Sequence, residues 1–100
     1  MIGFAQELPG VSPAVHERIE RELHEGPRPE GLILHASGVV NGAVRMLQVW
    51  ESEEHRRRFV AERVEPARKR AADEHGGPET LPPHEHFEFA VQHLMTAATQ

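Results

Sequence analysis

The stretch Gly31-Leu32-Ile33-Leu34-His35-Ala36-Ser37-Gly38-Val39-Val40-Asn41-Gly42-Ala43-Val44-Arg45-Met46-Leu47-Gln48-Val49-Trp50 decides the fold. Two β-prone runs flank Asn41-Gly42, the dipeptide best suited to a two-residue turn in which both central residues take positive φ. Such a turn sets Val40 opposite Ala43 and fixes the register, so that His35 faces Gln48, Ser37 faces Met46 and Ile33 faces Trp50. Side chains alternate along a strand, so one face of this hairpin carries an imidazole, an amide, a thioether and an indole. The other carries Leu32, Leu34, Ala36, Leu47 and Val49, with Arg45 near the turn. The aliphatic face is expected to lie under helices, and the mixed face to form a pocket wall.

Upstream, Ile2 to Leu8 reads as a short strand closed by Pro9-Gly10. Ser12-Pro13 then supplies a capping hydroxyl and a proline at the first helical position. Val15, Ile19 and Leu23 recur every fourth residue, which predicts an amphipathic helix to about Glu25, stopped by Gly26-Pro27, with His16, Glu17 and Glu20 facing water. Downstream, Ser52 caps a second helix whose first turn holds Glu53 and Glu54. Phe59, Val60, Val64, Ala67 and Ala71 form its buried stripe, and Pro66 predicts a break near Glu65. After the connection from His75 to Pro83, His84 to about Met95 alternates as a last strand. The order is β-α-β-β-α-β, an α+β, ferredoxin-like arrangement with an antiparallel sheet, in one domain spanning residues 1–95 with a flexible tail at 96–100. Helices on one face leave the other uncovered, and a second copy would cover it.

Composition narrows the chemistry. The 100 residues contain 8 histidines but no cysteine or tyrosine. That removes disulfides, thiolate nucleophiles, cysteine-bound metals and phenolic acids. A formal charge of -5 argues against nucleic acid as a partner. No apolar run is long enough to span a membrane and no basic leader precedes an apolar stretch, so the expectation is a soluble, cytoplasmic protein. No glycine-rich phosphate loop or serine nucleophile motif occurs.

Two segments resemble a known group: Pro29-Glu30-Gly31-Leu32-Ile33-Leu34-His35-Ala36-Ser37-Gly38, and Gln48-Val49-Trp50-Glu51-Ser52-Glu53-Glu54 followed by Phe59 and Glu65-Pro66-Ala67. They are similar to proteins of the dimeric α/β-barrel superfamily, in particular relatives of the antibiotic biosynthesis monooxygenases. The resemblance implies a homodimer with a cavity for a small hydrophobic or aromatic ligand. It further implies cofactor-independent oxygenation or cyclisation of an aromatic, polyketide-like substrate; the alternative is a non-catalytic barrel that binds a small ligand or haem. Relatives often place a tyrosine on the first helix near the position of His16, which this chain lacks.

Within that frame His35 is the leading candidate for the proton-transfer residue, because an imidazole titrates near neutrality. His86 is a second catalytic candidate. Gln48, Trp50, Met46, Ser37 and Ile33 are the expected substrate-binding residues, with Phe87 and Phe89 as further apolar walls, and no cofactor or metal is called for. His84, Glu85 and His86 have nitrogen and oxygen donors at alternate positions, but alternating strand histidines more often lie at a surface than on a metal. Haem would need His35 or His93 as axial ligand. The basic run from Arg56 to Arg70 reads as a solvated helix face or as partners for acidic residues of the first helix.

Overall fold

A computed structural model describes residues 1–8, 11–74 and 86–96. Strand β1 (Ile2–Leu8) is followed by helix α1 (Pro13–Glu25), strands β2 (Leu32–Val40) and β3 (Ala43–Trp50), helix α2 (Glu53–Phe59), a π-helical segment (Val60–Val64), helix α3 (Glu65–Glu74) and strand β4 (His86–Ala90). The sheet is antiparallel with order β2-β3-β1-β4. The expected ferredoxin-like α+β fold is therefore present.

The hairpin turn forms as its chemistry requires, with Asn41 at φ 52 and Gly42 at φ 80. Val40 pairs with Ala43, Ser37 with Met46 and His35 with Gln48. The register slips further along: Leu32, not Ile33, lies opposite Trp50, with an irregularity between Leu32 and Leu34. The Arg28 guanidinium explains it by donating to the carbonyls of Leu32 at 2.9 Å and Ile33 at 3.2 Å. An exposed arginine thus competes with the ladder for these acceptors, which a reading of strand periodicity does not contain.

Helix α1 begins where expected, since the Ser12 hydroxyl accepts the Val15 amide proton. The second helical segment does not break at Pro66. Its chain widens into the π segment instead, with the Glu65 amide bonded to the Val60 carbonyl. A proline ring clashes with the carbonyl four residues back, and one wider turn relieves that clash without ending the helix. Part of the basic run then clamps the helices together: Arg70 holds Glu22 and Arg63 donates to the Leu23 carbonyl. From the acidic helix, Arg18 reaches back to Glu74.

Strand β4 ends at Ala90, well short of Met95. It pairs with β1 from Gln6–His86 to Ile2–Ala90, and beyond that the Val91 amide donates to the Met1 carbonyl. His84 and Glu85 of the weighed metal motif lie outside the described residues, as do His75 and the tail beyond 96.

The two sheet faces are used opposite to expectation. Phe4, Val44 and Trp50 are buried on the face that also carries Gln48, His35 and Ser37, and this mixed face lies under the helices. Trp50, fully buried, packs its indole 5.6 Å from the Phe59 ring. The aliphatic face, with Leu34, Ala36 and Leu47, points away from them. There Leu47, Phe87 and Phe89 are 40%, 63% and 43% exposed. Phe89 lies over Gly3, where a Cβ would sit 2.2 Å from the ring, so any larger residue there would displace it. Apolarity alone did not distinguish a face that packs on helices from one that could pack on another sheet.

Candidate active site

The polar residues of the mixed face meet a matching stripe on α1. Its apolar stripe Val15, Ile19 and Leu23 has a polar neighbour one residue on: His16, Glu20 and His24, at helical spacing. The sequence reading left His16 and Glu20 to water. In the structure His16 is the buried polar residue among those described, 9% exposed, and the Glu20 side chain is nearly as enclosed. The signal for them was the run of His, Glu and His at positions i, i+4 and i+8, directly beside the apolar stripe.

Glu20 is the hub. Its two carboxylate oxygens accept from His35 Nε2 at 2.9 and 3.1 Å. Ser37 Oγ is 3.5 Å from one oxygen and His16 Nε2 is 3.6 Å from the same one, while His24 Nδ1 is 3.7 Å from the other. His16 Nε2 and Ser37 Oγ share a 3.1 Å hydrogen bond. Behind His35, the Gln48 amide donates to Nδ1 at 3.0 Å, and the Trp50 indole donates to Gln48 Oε1 at 2.9 Å.

This network borders an open cleft between α1 and the end of β2, about 470 Å³ in volume, with Pro13, His16, Glu20, His24, Ser37 and Val39 among its lining residues. Cavities of a few hundred cubic ångströms hold small molecules. Burial pushes the Glu20 carboxyl up, but the hydrogen bond from His35 and the nearby His35, His16 and His24 outweigh it and hold the group below its ordinary value of 4.5. Burial pushes the His16 imidazole down from 6.5, against the opposing pull of Glu20. At neutral pH the cleft thus presents an ionised carboxylate beside a neutral imidazole, one charge acceptor and one proton acceptor.

The residues singled out from sequence divide clearly. His35, Gln48 and Trp50 belong to one hydrogen-bonded chain, and Ser37 lines the cleft, with Met46 opposite it in register. Ile33 lies at the register irregularity. His86 is on β4 and His35 on β2, at opposite edges of the sheet; three strand spacings separate them, about 14 Å. His86 stacks on Phe4 instead, 5.5 Å away. The cavity also lies within one chain, under α1, and not in the space the aliphatic face would share with a second sheet. Among the described residues no group of three or more potential ligands has the geometry to hold a metal, and no helix is long and apolar enough to cross a membrane.

No protein-family model matches the chain, and no curated protein matches it in sequence. Solved structures do. SnoaB, a cofactor-independent oxygenase from Streptomyces nogalater, is 16% identical with a TM-score of 0.62, over 94% of this chain and 95% of that one. A monooxygenase from the gene ActVA-Orf6 of Streptomyces coelicolor, solved with nanaomycin D, is 18% identical with a TM-score of 0.55, over 95% and 90%. MhuD, solved with two manganese protoporphyrin IX molecules per active site, is 16% identical with a TM-score of 0.59, over 96% and 98%. The chain shares the fold of antibiotic biosynthesis monooxygenase-like proteins over most of its length.

Proposed function

We propose that the chain is a small-molecule enzyme that oxygenates an aromatic, polyketide-like substrate without a cofactor, in the cleft under α1 of each subunit of a homodimer. The observation that carries this reading is the Glu20–His16 pair: an enclosed, ionised carboxylate and a neutral imidazole facing one cavity of small-molecule size. Neighbours sharing the fold include a cofactor-independent oxygenase and a monooxygenase solved with nanaomycin D, which supports the reaction class.

In this reading His16 takes a proton from an acidic methylene or phenol of the substrate, and the resulting electron-rich anion reacts with dioxygen. For an anthrone, the methylene and one O2 become a carbonyl and one water, so no outside reductant is needed. The protein's contribution is position and a fixed electrostatic surround. His16 stands near where the resemblance implies a tyrosine, and an imidazole replaces the phenol's proton chemistry there. His35 acts on Glu20 and not on the substrate, since both its ring nitrogens are engaged within the protein. The bare outer face, with Leu47, Phe87 and Phe89, is the surface on which a second copy would pack.

For haem, the axial candidate His35 offers no nitrogen, since both are engaged within the protein. No step is routed through haem. The test is oxygen uptake with 1,8-dihydroxyanthrone, measured over the buffer rate. The expected result is one O2 consumed per anthraquinone formed, and a sharp loss of rate in His16→Gln. Uptake at the buffer rate, or uptake unchanged in that variant, would reject the reading.

A further inference from the structure

The Trp50 indole nitrogen can only donate, and it donates to Gln48 Oε1. That one bond settles which end of the Gln48 amide is which. The oxygen is turned to Trp50, so the NH2 is turned to His35 Nδ1, 3.0 Å away. An amide NH2 has no lone pair to offer, so His35 Nδ1 must supply one. The neutral imidazole therefore carries its proton on Nε2, where both oxygens of Glu20 receive it. Every hydrogen bond in the series runs in the direction set at its buried end.

We propose that Gln48 and Trp50 are positioning residues of the cleft: they impose the Nε2–H tautomer on His35 and thereby hold the Glu20 carboxylate in a single orientation. Neither residue lines the cleft. The path crosses three elements, from Trp50 and Gln48 on β3, through His35 on β2, to Glu20 on α1. The assignment of a role to Glu20 rests on the proposed function, but the tautomer does not.

The alternative arrangement shows what the chain of bonds prevents. With the indole nitrogen removed, the Gln48 amide is free to turn over and present its oxygen to Nδ1. The proton then moves to Nδ1, Nε2 becomes an acceptor facing a carboxylate, and Glu20 loses the His35 donor. A carboxylate at position 48 accepts at both ends and donates at neither, so it draws a proton onto Nδ1, and with Glu20 facing Nε2 the ring takes the charged, doubly protonated form.

The test is the imidazole region of two-dimensional nitrogen–proton spectra of the full chain at pH 7.5, where the two neutral tautomers and the charged ring give distinct nitrogen signatures. In the unaltered protein His35 is expected as the Nε2–H tautomer alone. Gln48→Glu is expected to abolish that signature and place a proton on Nδ1. Trp50→Phe is expected to give a mixture of tautomers, and Gln48→Met covers the case in which the Trp50 variant fails to fold, also giving a mixture. An Nδ1–H or charged His35 in the unaltered protein would overturn the proposal, as would a pure Nε2–H signature surviving in Gln48→Glu. The spectra need no substrate, so they stand or fall apart from the oxygen-uptake result.

Discussion

The inner and outer faces of the same four strands solve different problems. The inner face mixes the largest buried side chain, Trp50, with an imidazole, an amide and a hydroxyl, each given a partner by α1 or by its neighbour. The outer face is aliphatic and aromatic, and in the single chain it leaves Leu47, Phe87 and Phe89 exposed. Polarity therefore marks the buried side of this sheet, which borders the cleft, and apolarity marks the side that a second copy is proposed to cover. The comparison teaches that a hydrophobic strand face states only a need for cover, not what supplies it.

Breaking the inner face should have the largest effect. Trp50→Ala removes a fully buried indole and is expected to cost about 3–5 kcal/mol, read from denaturant unfolding. A cost near zero would mean that the corner it shares with Phe59 is not part of the core. Next comes the outer face, where Leu47→Glu would bury an unpaired carboxylate in the proposed dimer. Association should weaken by about 2–4 kcal/mol, roughly 30- to 1000-fold, in sedimentation equilibrium, with the helical circular-dichroism signal unchanged. An unaltered mass at every concentration would remove this face as the interface.

Catalysis should separate the two faces again. Glu20→Gln keeps the shape of the hub but removes its charge, and turnover is expected to fall about 10²- to 10⁴-fold, while Arg45→Gln on the outer face leaves it unchanged. Equal rates in all three proteins would detach the cleft from the chemistry.

The smallest effect is the dependence of stability on pH. His16 is lowered below 6.5, so the unfolded chain binds its proton more readily, and stability should begin to fall as pH drops through about 6.5. Glu22 is held at about 2, chiefly by its hydrogen bond from Arg70, and its contribution is full above 4.5 and lost between 4.5 and 2. Glu20, lowered by its histidine partners, adds to that second fall. His16→Gln should flatten the upper part of a denaturation-midpoint profile and Glu22→Gln the lower part. Flattening in the wrong window would reject the assignment.

Much of the architecture was legible locally. Asn41-Gly42, Ser12-Pro13 and Ser52 each carry their own instruction, a turn or a cap that forms within a few residues, and each forms where the sequence places it. What was not legible turns on contacts that periodicity and capping rules do not contain. The Arg28 guanidinium on the Leu32 and Ile33 carbonyls and the widened turn that keeps Pro66 inside a helix are both of this kind. The site divides the same way. His35 and Gln48 follow from the hairpin register, whereas Glu20 and His16 look solvated on a helical wheel until the opposite face is known to be polar. His86 failed to join them for the converse reason: strand alternation gives a face, but strand order decides the distance.

The most direct measurement is a map of amide shifts on titrating the protein with 1,8-dihydroxyanthraquinone, the product expected from the anthrone. Perturbations centred on His16, Glu20, Ser37 and Val39, with Leu47, Phe87 and Phe89 unmoved, are the predicted result. Perturbations confined to the outer face, with α1 and the end of β2 silent, would contradict the placement of the site.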